Sequence, residues 1–183
     1  MYGLLIGVVI AAAVADLRTT LVPNRLTYPA ILAGLIIWPV AGLIVEDGGL
    51  AIEWGQASWL GMLSGLIPFA LLVMTAGLGG GDMKLMAAVG AVSASWEVVL
   101  STTIYALVVA VFMAVFIMIR KGVVKQTLSR VFSAALLASA RVKADLPQDS
   151  PTVAFAAAVA VGAVVAGAEQ MVGWDSPWRA ISP

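Results

Sequence analysis

Two aspartates are the residues of this sequence best suited to chemistry. Asp16 ends the first apolar run of the chain, and Asp82 follows the glycine-rich stretch 77–81, with Lys84 close behind it. Ionisable groups at membrane depth are costly and usually functional. The sequence contains no Cys and no His, which excludes thiol nucleophiles, disulfides and the usual zinc sites. Acid–base chemistry must therefore come from Asp, Glu, Lys, Tyr or water, and we expect no metal site.

The glycine-rich stretch is not a nucleotide-binding or phosphate-binding loop. No strand is predicted before it, and the Lys-Ser/Thr ending of a phosphate-binding loop is absent. Glycines permit tight turns and close approach of backbones, and non-helical backbone at membrane depth must be covered by protein or line a water-filled cavity. The stretch therefore predicts a loop that presents Asp82.

The composition is that of an integral membrane protein. Of the 183 residues, 62% are hydrophobic and 11% are charged, and the mean hydropathy is +1.04. Soluble domains are about half apolar and about a quarter charged. We expect one integral-membrane domain over residues 1–183 that lies in a lipid bilayer, binds no nucleic acid and needs no cofactor; its oligomeric state stays open.

Apolar runs predict the helices, since a membrane span needs about 20 largely apolar residues. The runs cover residues 1–15, 28–45, 57–75, 85–94, 98–119 and 151–172, and the first reaches the length of a span only if Asp16 and Leu17 belong to its helix. The first run is predicted to be a retained helix, because no basic residue precedes it as in a signal peptide. The run 85–94 is short and leaves two alternatives, a re-entrant hairpin and a short span.

The segments between the runs have their own signals. Pro23 and Asn24 are turn residues, and Thr27 is predicted to cap a second helix that begins near Tyr28. Residues 46–56 are predicted to form an acidic loop. Residues 120–150 carry six basic side chains, and apolar residues recur among them at helical spacing. This pattern predicts an amphipathic helix on the cytoplasmic membrane surface.

Charge decides between the alternatives for the short run 85–94. If this run spans the membrane, the segments 16–27, 77–84 and 120–150 share one face, which then holds nine of the ten Lys and Arg residues. Basic residues concentrate on the cytoplasmic side of membrane proteins. We therefore predict an all-α, multi-pass protein of the plasma membrane with six transmembrane helices and both termini outside the cytoplasm.

This topology places Asp16 and Asp82 at the same depth near the cytoplasmic face. Two nearby carboxylates cannot both ionise easily, so they titrate as a pair. One carboxylate then draws a proton from a water that attacks a peptide carbonyl, and the protonated partner donates to the carbonyl oxygen. The alternative is a pair of helix-end residues, with Asp82 as an N-cap and Asp16 at the water interface.

The residues around both aspartates resemble a known family. Residues 79–82, Gly-Gly-Gly-Asp, match the Gly-x-Gly-Asp signature of intramembrane aspartic proteases. The wider Gly-Asp-Met-Lys-Leu, with Gly90 downstream, resembles the type IV prepilin peptidases, as does Asp16 followed by Val-Pro-Asn-Arg-Leu-Thr at 22–27. Pro151, at the start of an Ala- and Gly-rich last helix, fits the same family.

The resemblance implies an aspartic endopeptidase with Asp16 and Asp82 as its catalytic pair. Such a hydrolase removes the basic leader peptide of prepilin-like proteins at the cytoplasmic membrane face. Larger members of the family carry a cysteine-rich domain and also N-methylate the new N-terminus. Because this chain has no Cys, it resembles the short, six-helix peptidases of Tad/Flp pili or their preflagellin counterparts, and we expect cleavage without methylation.

Five other residues are candidates for the active-site loops or for substrate binding. Gly79 and Gly81 are expected to let the loop approach the substrate backbone, unless they only break a helix. Pro23 and Asn24 are expected to fix the turn after Asp16, unless this is an ordinary loop. For Lys84 the alternatives are orientation of Asp82, contact with substrate, and the cytoplasmic bias of basic residues, of which we favour the last.

Two functions of other classes also fit a membrane protein with these aspartates. A proton- or cation-coupled transporter places acidic residues beside broken helices, but its usual internal repeat is not visible here. A non-catalytic membrane component of a secretion or pilus machine would use Asp82 for packing alone. Replacing both aspartates separates the three functions. A peptidase would lose proteolysis, a transporter would lose transport, and a non-catalytic component would lose neither.

Overall fold

The computed structural model describes residues 2–45, 48–76, 79–124, 129 and 154–172. Most of the described residues are helical, and no strand is found among them. Its six helices are α1 (Tyr2–Thr19), α2 (Asn24–Val45), α3 (Gly48–Ala76), α4 (Gly80–Ser93), α5 (Trp96–Lys121) and α6 (Phe155–Val172). All except α4 are long and apolar enough to cross a membrane. The protein is therefore an all-α, polytopic membrane protein, as predicted.

Two compact units make up the chain, residues 1–109 with 154–183, and residues 110–153. The first unit contains both aspartates and the first half of α5. In the second unit α5 ends at Lys121, and the Gly122 that follows has a positive φ of 67° and an N–H bond to the Ile119 carbonyl, which are typical of a glycine C-cap. The surface helix predicted over 120–150 lies almost wholly outside the described residues, and the single-domain assignment stays a prediction.

Helices α2 to α5 all begin before the apolar runs that predicted them. Helix α2 begins at Asn24 instead of near Tyr28, because the Pro23 carbonyl accepts the N–H groups of Leu26 and Thr27 at 3.0 and 3.4 Å. Thr27 is thus a buried residue of the first turn and not an N-cap. Helix α3 begins at Gly48, so most of the predicted acidic loop 46–56 is helical.

Tertiary contacts explain the longer α3. Gly42 of α2 lies so close to the α3 backbone that a Cβ there would approach the Ala51 Cα to 2.6 Å. The indole rings of Trp38 and Trp54 pack edge to face with centroids 5.8 Å apart. These contacts extend the helical packing of α2 and α3 into a segment whose acidic residues alone favour a loop.

Helix α4 forms the centre of the first unit. Its residues 85–92 are all buried, and it packs mainly between α2 and α3. The helix is continuous to Ser93 and stops at Ala94, which takes a left-handed conformation, so the predicted hairpin alternative is wrong. At 14 residues its length is about 21 Å, shorter than a full span, and the sixth transmembrane crossing stays a prediction.

Helices α1 and α6 form an antiparallel pair beside α4. Near one end the Tyr2 hydroxyl donates to the Gln170 side chain at 2.9 Å, and near the other end Ala156 contacts Asp16. The buried face of α6 is made almost wholly of Ala, Val and Gly. Small residues of this kind let helices pack closely in lipid, which brings the amino end of α6 next to Asp16.

Candidate active site

Asp16 lies in the last turn of α1 and is only 8% exposed. Helix α1 ends just beyond it, where Thr20 takes a positive φ of 54° and its N–H bonds the Asp16 carbonyl at 2.8 Å. A buried carboxylate is unfavourable unless hydrogen bonds satisfy it. One such bond comes from the backbone N–H of Ala156, which donates to Asp16 Oδ2 at 3.0 Å. Asp16 is therefore not the solvated helix-end residue of the alternative reading.

Asp82 lies in the first turn of α4. Gly79 is the N-cap of this helix, and the Asp82 N–H bonds the Gly79 carbonyl at 3.1 Å. No side chain caps the helix, so the alternative in which Asp82 is an N-cap is wrong. The carboxyl is half-buried, and no hydrogen bond to it comes from the described residues.

The charge of Asp16 acts on the Asp82 carboxyl. Burial, and after it the negative charge of Asp16, raise the pKa of Asp82 to about 6. Asp82 lies outside the five helices that are long enough to cross a membrane. The raised pKa makes Asp82 hold a proton more readily than an ordinary aspartate does. Within the described ranges, no group of three or more His, Cys, Asp and Glu side chains is arranged to hold a metal ion.

The glycines before Asp82 differ in what surrounds them. A Cβ on Gly81 would lie 3.2 Å from the Val22 Cβ, so this glycine lets the start of α4 approach the segment that follows Asp16. Gly79 has φ −65° and ψ 130°, which any residue adopts, and a Cβ there would meet only the Asp82 carboxylate at 3.5 Å. The structure therefore gives a steric reason for glycine at 81 and none at 79.

Lys84 connects the two aspartate motifs. Its Nζ donates to the Asn24 Oδ1 at 2.8 Å and lies 5.1 Å from the centroid of the Tyr28 ring. Asn24 opens α2 directly after Pro23, whose carbonyl starts the helix. Four of the predicted loop residues, Pro23, Asn24, Gly81 and Lys84, thus lie where the segment after Asp16 meets the start of α4.

Sequence reasoning missed several residues of the site. The N–H of Ala156 is a backbone group and has no signature in the sequence, although the last helix was recognised from its small residues. Val22 and Tyr28 are contacted by Gly81 and Lys84, and their position beside Pro23 and Asn24 was the available signal. Thr27 is fully buried with no partner for its hydroxyl in the described part of the chain.

Comparison with known proteins gives two matches. The family model described as the type IV leader peptidase family matches residues 3–119, a range that includes both aspartates. A prepilin leader peptidase/N-methyltransferase of Aeromonas hydrophila is 36% identical over 88 residues, which are 48% of this chain and 30% of that protein. The matched region is therefore less than a third of the relative's length. No solved structure matches the chain.

Proposed function

The chain belongs to the type IV leader peptidase family, and from this premise we propose that it is an aspartic endopeptidase which removes the leader of prepilin-like proteins. The observation that carries the proposal is the electrostatic coupling between carboxyls on two separate helices: burial, and after it the charge of the buried Asp16, raise the pKa of the half-buried Asp82. This pairing supports acid–base hydrolysis by two carboxyls.

The proposed reaction needs only the two carboxyls, water and the peptide. One carboxylate takes a proton from water, whose oxygen bonds the scissile carbonyl carbon, while the protonated partner gives its proton to the carbonyl oxygen. The tetrahedral intermediate then collapses. The first carboxyl passes its proton to the leaving nitrogen as the C–N bond breaks, and the second regains a proton from an intermediate hydroxyl. Both carboxyls end in their starting protonation states.

The proposal places this reaction at the cytoplasmic face of the plasma membrane. Its support is the charge distribution, since the segments that contain both aspartates also carry Arg18, Arg25 and Lys84, and basic residues concentrate on the cytoplasmic side. Both termini then lie outside the cytoplasm. We propose cleavage without methylation because the family resemblance associates methylation with a cysteine-rich domain and this chain has no Cys.

The substrate is proposed to be recognised through its cleavage site and apolar helix more than through its leader charges. A basic leader is repelled by a basic receiving face, although anionic lipid attracts both. A small residue before the scissile bond lets its carbonyl reach both carboxyls. Leader Lys and Arg changed to Gln are expected to be tolerated better than the residue before the cleavage site changed to Val; the reverse order would contradict this part of the proposal.

The test is cleavage of a prepilin by the purified protein in lipid vesicles, followed by mass analysis of the mature product. The expected product lacks the leader and has an unmodified N-terminus, even when a methyl donor is supplied. A methylated product contradicts the assignment of peptidase activity alone. Failure of the wild type to cleave any prepilin-like substrate contradicts the proposed function.

Topology is tested separately with single cysteines, for which this cysteine-free chain is a natural background. Leu21→Cys, in the exposed segment after Asp16, is expected to react only with reagents that reach the cytoplasm. Gly48→Cys, at the far end of α2 where α3 begins, is expected to react only with external reagents. Labelling of Leu21→Cys from outside would place the aspartates on the wrong face.

A further inference from the structure

We propose that the amino end of α6 is a third component of the catalytic site: the backbone N–H of Ala156 positions Asp16 as the anionic general base and leaves the proton of the pair on Asp82. The inference rests on the proposed function. It assigns the roles of general base and general acid, which the reaction alone leaves interchangeable between the two carboxyls. Ala156 acts through Asp16 and is a positioning residue.

The first support is the bond itself. The Ala156 N–H donates to Asp16 Oδ2 at 3.0 Å in a buried position. The first four N–H groups of a helix have no partner within the helix, so this donor is free to serve a carboxylate. Such donors carry the positive end of the helix dipole and favour the charged form of the acceptor.

The second support is the different surroundings of Asp82. It also lies in a first helical turn, but no N–H or O–H donor bonds its carboxylate within the described residues, and its own N–H bonds Gly79. Burial and the Asp16 charge raise its pKa, in the direction of an acid that keeps its proton. The geometry therefore distinguishes two carboxyls that the reaction treats alike.

The third support is that the donor is held in place by the whole of α6. Residues along its face are buried, from Ala156 to Gly167, and Tyr2 bonds Gln170 near the opposite end. A Cβ on Gly167 would lie 3.4 Å from the Tyr2 ring. Contacts near both ends set the register of α6 against α1, so the N–H is prepositioned before substrate binds.

Charged groups near Asp16 come from the elements packed around it. Helix α4 contributes Asp82 and Lys84, whose Nζ bonds Asn24; Arg18 on α1 and Arg25 on α2 are exposed. The first turn of α6, residues 154–157, has no ionisable side chain. The backbone is therefore what α6 offers to Asp16 in this turn.

The test compares two prolines in the first turn of α6, where proline is tolerated. Ala156→Pro removes the N–H that bonds Asp16. Ala157→Pro is the matched control, since its N–H bonds the Ala154 carbonyl instead. Ala156→Pro is expected to lower kcat for prepilin cleavage by about tenfold to a hundredfold relative to the control, with KM unchanged, and to move the acid limb of the pH–rate profile to higher pH.

A second pair of variants changes the charge near the donor and keeps every backbone N–H. It tests the inference even if Ala156→Pro does not fold. Ala157 is half-buried, and Ala157→Glu adds a negative charge beside the donor, while Ala157→Gln has the same size without the charge. Acidic residues are well accommodated in a first helical turn. Ala157→Glu is expected to move the acid limb upward relative to Ala157→Gln.

A direct readout separates this inference from the proposed function. The Asp82 carboxyl of the intact protein, assigned by comparison with Asp82→Asn, is titrated by NMR without substrate, and its pKa is expected to be lower in Ala156→Pro than in Ala157→Pro, because the Asp16 charge that helps to raise it is held less firmly. An unchanged titration and an unchanged acid limb in both variant pairs would overturn the inference. Absence of cleavage by the wild type would instead contradict the proposed function.

Discussion

The helix that carries Asp82 and the helix that carries Asp16 are held by different kinds of contact. Helix α4 is packed backbone to backbone: a Cβ on Gly34 of α2 would lie 2.5 Å from the Ala91 carbonyl, and Cβ atoms on Gly61 and Gly65 of α3 would collide with α4 backbone atoms. Helix α1 instead packs on α6, with polar contacts near both ends, from Asp16 to Ala156 and from Tyr2 to Gln170.

Because the two helices are held by different contacts, variants of α4 and variants of the α1–α6 pair are expected to change different properties. Close backbone packing leaves no room for a side chain, so substitutions in the contacts of α4 act first on folding. Directional hydrogen bonds between α1 and α6 set register and carboxyl geometry, so their loss acts first on the reaction. Asp82 thus lies on a helix fixed sterically, and Asp16 lies on a helix whose small-residue packing is supplemented by hydrogen bonds near both ends.

The largest effect expected from breaking this contrast comes from Gly90→Ala. Its Cβ would collide with the Gly61 backbone of α3, and overpacking of this kind costs about 1–3 kcal/mol, occasionally more. The free energy of unfolding in detergent, or the midpoint of thermal unfolding, measures it. Gly7→Ala on α1 is the control, since no atom lies within 4 Å of its Cβ position. Equal loss in both variants would contradict the steric account of α4.

The next effect concerns the unequal carboxyls. The pKa of Asp82 is raised to about 6, by burial first and by the Asp16 charge second, so Asp82 is protonated below about pH 6 and loses its proton above it. If Asp82 is the acid, kcat/KM falls as pH rises through this value. In Asp16→Asn, NMR titration is expected to show a pKa for Asp82 that is lower than in the wild type but still above 3.8, because burial persists.

Two outcomes would contradict this ordering of causes. If the pKa of Asp82 is unchanged in Asp16→Asn, the two carboxyls are not coupled. If it falls fully to 3.8, the ordinary value of an aspartate, the Asp16 charge and not burial is the main cause. The first result removes the basis for a shared proton, and the second removes burial as the main cause of the raised pKa of Asp82.

The smallest effect is expected where the two aspartate motifs join. Lys84→Met removes the bond to Asn24 and the contact with the Tyr28 ring, each worth about 0.5–1 kcal/mol at an exposed position. We expect kcat/KM to fall about twofold to tenfold. Arg25→Met is the control, since Arg25 is an exposed basic residue next to Asn24 on α2. A double-mutant cycle with Asn24→Ala tests the coupling.

Equal losses in Lys84→Met and Arg25→Met, with additive effects in the cycle, would mean that Lys84 contributes only to the charge of the cytoplasmic face. This is the role that the sequence favoured. The observed bond to Asn24 instead favours a role in holding the start of α4 near the turn after Asp16.

Much of the fold was accessible from the sequence because apolar run lengths and charge asymmetry are properties of segments. They predicted the helices, and two short motifs marked the helix ends that carry the aspartates. The predicted start of α3 was wrong, because contacts such as Trp38 with Trp54 extend the helix into a segment whose acidic residues favour a loop. Propensity describes a segment alone, whereas helix ends depend on what packs against them.

The candidate site was less accessible for a related reason. Asp16 and Asp82 have side chains with recognisable chemistry, but the donor to Asp16 is a backbone N–H at the start of another helix. Every residue except proline has such a group, so no residue type marks it. Its role depends on the register of α6 against α1, which contacts such as Tyr2 with Gln170 determine and no local pattern encodes.

The central claim is that one reaction needs both carboxyls, and the most direct measurement is prepilin cleavage by Asp16→Asn and Asp82→Asn in lipid vesicles. Each amide keeps the size of the side chain and removes its acid–base function. Each variant is expected to fold, as judged by thermal unfolding, and to show no detectable processing. Near wild-type processing by either folded variant would contradict the claim that Asp16 and Asp82 act as a catalytic pair.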